Sequence, residues 1–158
     1  MKKLLGIFLI TILSLSAYAY EINFKKDDVC VMRNLKLSSG PKWVSEIKLH
    51  NGKVALFCSA KSMLEFFYKP KTYKEYNYFD KSDIEHMLVT DYITLEAIDA
   101  TKAYYVYGSS VISPAGDDLV TFKNLNDAKR FSAKNNGRRV LPFDKVSLGL
   151  VKLLNGDI

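Results

Sequence analysis

The side chains of this chain that can do distinctive chemistry carry sulfur. Cys30 and Cys58 stand with Met32, Met63 and Met87, and there are two histidines, His50 and His86. Cys30-Val31-Met32 is the local feature that points to a reaction partner. In an extended chain residues two apart face the same side, roughly 6.6 Å apart along the backbone. A thiolate and a thioether on one side can share a single soft ion, and that pair selects Cu(I) over zinc, magnesium or iron. The flexible methionine side chain can close the gap. Two donors still need a third, or a partner protein. No nucleophile elbow, phosphate loop, HExxH or CxxC occurs, and no acid/base pair is visible, so the pattern does not point to an enzyme.

Cys30 stays open to three readings at this level: a metal ligand, half of a Cys30–Cys58 disulfide, or a buried thiol without chemistry. A disulfide would close the 27 residues between the two cysteines and stabilise the fold by about 3–4 kcal/mol through loop entropy. It would suit a metal-free exported binding or assembly module. His50 precedes a turn on a polar face, where a solvated imidazole is the default. His86 and Met87 are adjacent, so only one of them can face a given site from a strand. Met63 lies on an apolar helix face and suits core filling as well as ligation.

The 158 residues hold 23 Lys+Arg against 17 Asp+Glu and are 48% hydrophobic, which excludes disordered, collagenous and multi-span membrane classes. Residues 1–19 read as a secretory signal peptide. Lys2 and Lys3 precede an apolar run from Leu4 to Leu15, and Ala17-Tyr18-Ala19 provides a small-x-small cleavage site. Cleavage near Ala19 removes two lysines and takes the formal charge from +6 to +4. The run is short of the ~20 residues that span a bilayer, and no second such run follows, so a periplasmic protein that does not span the membrane is expected. No cysteine stands at the cleavage site to carry a lipid. Residues 69–81 interleave Lys69, Lys71, Lys74 and Lys81 with Tyr73, Tyr76, Tyr78 and Phe79. Such interleaving can stack on single-stranded nucleic acid, but export removes that partner and leaves a solvated linker with aromatic anchors.

The elements that must position these side chains recur. Glu46 to Phe57 alternates around Asn51-Gly52, which predicts a two-residue hairpin with Leu49 facing Val54 and Ile47 facing Leu56. In that register Cys58 continues the Val54/Leu56 face. Ser59 caps a helix over Ala60 to Tyr68 that Pro70 ends, and a strand covers His86 to Tyr92. After a turn at Thr94 to Asp99 come a strand over Ala103–Tyr107, a turn at Ser113–Asp117, and a strand over Asp118–Phe122. A helix over Leu125–Asn135 follows, capped by Asn124 and closed by Gly137, and then a strand over Val140–Phe143. The expected fold is α+β, two packed ββαβ repeats whose helices cover the sheet faces. Residues 20–93 form one half, 94–143 the other, and 144–158 a short C-terminal helix.

These residues resemble a known family. Val89-Thr90-Asp91-Tyr92, Ile98-Asp99-Ala100, Ala103 to Ser109, Ser113-Pro114-Ala115-Gly116, Phe122, Ala128, Phe131, Gly137 and Arg139 to Phe143 are similar to the NosL family of nitrous-oxide-reductase accessory proteins. Phe57-Cys58-Ser59 through Met63 looks like its Phe-x-Ser-x-x-x-Met segment, and Cys30-x-Met32 like its N-terminal Cys-x-Met. The resemblance implies an extracytoplasmic Cu(I) chaperone of two ββαβ halves that serves the apoprotein of a cuproenzyme, nitrous oxide reductase in particular, with Cys30 and Met32 as ligands. Where the family commonly has Met before the turn glycine, this chain has Ala115 before Gly116. Met63, Met87, His86 and Cys58 are then the candidates for the missing donor.

Overall fold

The computed structural model describes residues 20–158; the signal-peptide reading of residues 1–19 lies outside the described residues. Two antiparallel sheets form the frame. The first has the order β2-β1-β3-β4 and the second β6-β5-β7. The strands are β1 (Ser45–Leu49), β2 (Val54–Phe57), β3 (Ile84–Thr90), β4 (Ala97–Asp99), β5 (Tyr104–Tyr107), β6 (Leu119–Phe122) and β7 (Arg139–Pro142). Helices α1 (Ala60–Tyr68), α2 (Leu125–Lys134) and α3 (Leu148–Asn155) pack on them. The expected α+β architecture with a C-terminal helix is the one observed. Among the described residues no helix is long and apolar enough to cross a membrane.

The first hairpin departs from its expected register. Ile47 pairs with Ala55 and Lys48 with Val54, because the loop holds three residues rather than two. Gly52 N–H donates to Leu49 O and Leu49 N–H to Lys53 O, each at 2.9 Å. Gly52 takes a left-handed φ of 84°. A type I turn followed by a left-handed residue is the standard three-residue alternative to the two-residue loop. The one-residue slip moves every β2 side chain to the other face. Ala55 and Phe57 therefore join Ile47 and Leu49 in the core, while Val54 is exposed.

Helix α1 begins where expected, with the Ser59 side chain accepting from Ser62 N–H, and residues 60–67 are all buried. The aromatics of the basic segment anchor on it. Tyr73 and Tyr78 stack on the Phe66 ring at 4.9 and 5.2 Å, and the Tyr78 hydroxyl donates to Phe67 O at 2.8 Å. The expected turn at Thr94–Asp99 contains β4, three residues pairing with β3, too short for periodicity to reveal. Helix α2 ends at Lys134 with Asn135 as its cap; Asn136 takes the left-handed φ of 58°, and Gly137 closes the helix by donating its N–H to Ser132 O at 2.8 Å. A Cβ there would lie 2.8 Å from Val106 Cγ1 and would overlap Ser132 Oγ; the glycine lets β7 approach the helix.

Side chains and backbone both cross between the halves. Thr121 Oγ1 donates to Thr90 O at 2.6 Å, and Lys123 N–H donates to Asp91 Oδ2 at 2.7 Å. The buried Asp118 carboxylate accepts from Lys61 N–H and Leu119 N–H at 2.8 Å and from the Ser113 hydroxyl at 2.9 Å. Lys61 N–H is one of the donors that the first turn of α1 cannot satisfy internally. Burial pushes the Asp118 carboxyl up, against these hydrogen bonds. Asp118→Ala strands two donors from other elements at a cost of about 1–3 kcal/mol each. We expect a total loss of about 3 kcal/mol, read as a lower urea midpoint with unchanged slope.

Candidate metal centre

Cys30 does not lie in a strand. Val29 and Lys36 form an isolated antiparallel bridge, and between them the chain makes a tight turn. Asn34 N–H donates to Cys30 O at 2.9 Å and Cys30 N–H to Leu35 O at 2.8 Å, with Asn34 at a left-handed φ of 53°. The alternation argument for Cys30 and Met32 therefore fails, and the two donors share one turn instead. Cys30 is 1% exposed. Met32 is half-buried and packs against the same core.

That turn is fastened to β2 by Val31 N–H, which donates to Leu56 O at 2.9 Å. Two residues after Leu56 comes Cys58, also 1% exposed, immediately before the Ser59 cap of α1. Both cysteines belong to one buried core cluster, and both are free thiols in this structure. A disulfide is thus not the state described. The Cys58 thiol donates toward Cys30 and, against the opposing effect of burial, holds the Cys30 thiol well below its usual value, at about 6. Backbone N–H groups of Cys58, Met32 and Arg33 act in the same direction. Cys58 is pushed up by the same shared hydrogen bond, by burial and by the charge on Cys30. Electrostatically the pair is one site that gives up its first proton readily and retains its second. Ser62 Oγ lies 4.0 Å from Cys58 Sγ.

The other candidates divide. Met63 is fully buried on α1, one residue beyond Ser62, within the cluster that contains both cysteines. Met87 pairs with Ile47, two strands across the sheet and three residues along from Cys58. At ~4.8 Å between strands and ~3.3 Å per residue, that is roughly 10 Å in each direction. His86 faces the opposite side of the sheet, where Nε2 lies 2.9 Å from Glu46 Oε1. The structure does not bring His86 or Met87 to the thiols. His50 is exposed at the hairpin turn, its N–H donating to Asp83 O. Among the described residues no three side chains of His, Cys, Asp or Glu come together as a metal site. The donor set at the thiols is accordingly two cysteines with thioethers nearby, a set suited to a soft monovalent ion.

The surroundings contain residues that no sequence motif marks. Arg33 Nη2 donates to Glu65 Oε2 and to Asn155 Oδ1, each at 2.7 Å. Lys69 Nζ donates to Glu65 Oε1 at 2.7 Å, and Asn155 Nδ2 to Glu65 Oε2 at 2.9 Å. One carboxylate thus joins the Cys30 turn, α1 and α3. Its signal in the sequence is a glutamate within the apolar run of α1, where a charge needs a partner. Arg33 Nε is buried without a partner among the described residues. Lys61 Nζ donates to Ala115 O at 3.0 Å and to Leu154 O at 3.1 Å, so the turn that carries Ala115 is held against α1 by its backbone. A groove of about 790 Å³ lined by Tyr20, Ile22, Leu95 and Ile98 lies apart from every sulfur named here.

Burial raises the Glu65 carboxyl, but the Lys69 and Asn155 hydrogen bonds and the Arg33 charge overcome it and leave it below its usual 4.5. A depressed folded value means that its contribution to stability is present above about pH 4.5 and is lost as pH falls through the lower folded value. Glu65→Gln is expected to lower the urea midpoint at pH 7 and to flatten the fall in midpoint between pH 5 and pH 3. Parallel pH profiles for the two proteins would show that the carboxylate carries no such load.

The chain is similar to known proteins in sequence and in fold. The NosL family model matches residues 21–151. The copper-binding lipoprotein NosL of Stutzerimonas stutzeri is 31% identical in an alignment of length 109 that covers 63% of this chain and 52% of that protein; the chain spans about half the length of that curated relative. The crystal structure of the copper chaperone NosL from Shewanella denitrificans superposes with a TM-score of 0.67 at 20% identity, covering 83% of this chain and 98% of that one. The chain belongs to the NosL family.

Proposed function

We propose that this NosL-family chain is an exported, periplasmic copper chaperone. It holds one Cu(I) through the Cys30 and Cys58 sulfurs with the Met32 thioether beside them. The observation that carries the proposal is the buried pair of free thiols at the Cys-x-Met turn, with backbone N–H groups directed at Cys30. Two thiolates with a thioether suit Cu(I), whereas zinc takes thiolates in a closed four-coordinate set without thioethers and magnesium takes oxygen. Cys58 supplies the donor that the family commonly takes from the turn position occupied here by Ala115. The relative from Stutzerimonas stutzeri is named for copper binding, and the same cargo is the natural assignment for this chain.

Function by ligand exchange needs a site that binds firmly and releases to a better one. Few donors held in a buried, low-dielectric setting exclude water and competing oxygen ligands, while a partner that offers more ligands can draw the ion away. The recipient consistent with the family is the apoprotein of nitrous oxide reductase or a related cuproenzyme. The role is carriage without turnover.

Competition against a chromogenic Cu(I) chelator tests the assignment. Cys30→Ser is expected to weaken retention by more than about 100-fold, the upper end of what outer partners of a metal site contribute. Cys58→Ser and Met32→Ala are expected to weaken it less, and His50→Ala and His86→Ala to leave it unchanged. Equal retention by the wild type and Cys30→Ser would reject the proposal.

A further inference from the structure

The same two sulfurs support a covalent chemistry that needs no metal. We propose that Cys30 and Cys58 form a reversible dithiol/disulfide site, which low-molecular-weight disulfides of the glutathione class oxidise, and that only its reduced form accepts Cu(I). The second half of the proposal rests on the copper reading above; the first half does not.

Three observations carry it. The two cysteines lie in one buried core cluster, and their segments are tied by the Val31–Leu56 backbone bond of 2.9 Å. Cys30 and Cys58 are the chain's two cysteines, so no other pairing within the chain competes. Their settings also differ in a way that assigns roles. Cys30 belongs to a surface turn flanked by exposed Val29 and Leu35, whereas Cys58 is clamped between β2 and the cap of α1. Opening of that short turn admits a small reagent to Cys30 first, as local unfolding does for otherwise buried groups.

The step is an ordinary exchange. The Cys30 thiolate attacks one sulfur of the oxidant, forming a mixed disulfide and expelling one thiolate. Cys58 then gives up its proton and attacks Cys30 Sγ, forming the Cys30–Cys58 bond and expelling the second thiolate. Two electrons pass to the oxidant, and the two protons of the pair end on the released thiols. The bonded sulfurs are no longer thiolates, and the thiolate is the form that ligates metal. A bound ion, in turn, occupies the atoms that would otherwise attack. In the oxidising space beyond the inner membrane an empty carrier would close and a loaded one would stay reduced.

The full chain, reduced and then freed of reductant, is exposed to oxidised glutathione, unfolded, alkylated and weighed. The wild type is expected to lose two hydrogens, take up no alkyl group and carry no glutathione, and to return to the dithiol with dithiothreitol. Cys58→Ser is expected to retain glutathione on Cys30. Prior loading with Cu(I) is expected to slow closure, and the closed form is expected to lose Cu(I) competition by more than about 100-fold relative to the reduced form. Two alkylatable thiols or a lasting glutathione adduct on the treated wild type would overturn the disulfide. Undiminished Cu(I) retention by the closed form would overturn the gate. Failure of the reduced form to compete for Cu(I) would sink the copper reading and the gate with it, while the mass of the treated protein would still report whether the bond forms.

Discussion

Two thiols are held together inside a small α+β fold by backbone contacts. The Cys58 thiol and nearby backbone N–H groups favour the anionic form of Cys30 against its burial, where water is nearly excluded. Much of the nearby architecture serves this pair. The isolated Val29–Lys36 bridge closes the turn, Val31 fastens it to the edge of the first sheet, and the Ser59 cap sets the start of the helix directly after Cys58. Glu65 then joins that turn to α1 and α3 through Arg33 and Asn155.

The soft character of the donors and their burial act together. A hard cation offered two sulfurs in a dry pocket would surrender favourable water or oxygen ligands for poorly matched ones, whereas a d¹⁰ monovalent ion loses little. The same enclosure has a kinetic side. The groove of about 790 Å³ is lined by none of the sulfur residues, and the thiols stand behind the half-buried residues of the Cys30 turn. That turn is held by a handful of backbone hydrogen bonds and two exposed apolar flanks, and few buried contacts mark the segments of a fold that open most readily.

Local patterns made much of the fold legible. The serine cap and apolar face of α1, the strand–turn–strand of the second half and the Leu-rich C-terminal helix all follow from spacing and turn chemistry, because each is decided within a few residues. The hairpin register was harder. Asn51-Gly52 suits a two-residue loop, and the choice of three residues turns on where Ala55 and Phe57 find the core, a tertiary matter. Cys30-Val31-Met32 invited a strand because nothing in three residues distinguishes an extended segment from a turn that closes at Asn34. The approach of Cys30 to Cys58 is a contact across 27 intervening residues, invisible to periodicity. Asp118 gave no signal either, since an aspartate before an apolar strand reads as turn polarity until Lys61 N–H is found against it.

The turn at Ser113–Gly116 holds its shape without help from the side chain at position 115. Ser113 and Gly116 exchange backbone hydrogen bonds of 3.0 Å in both directions, and Gly116 supplies the left-handed φ of 88°. Lys61 grips the Ala115 carbonyl oxygen rather than its methyl group. The backbone scaffold at this corner is therefore uncoupled from the identity of the residue it displays toward the core that contains both thiols. The side chain at 115 can thus change in size or chemistry while the turn around it stays as it is.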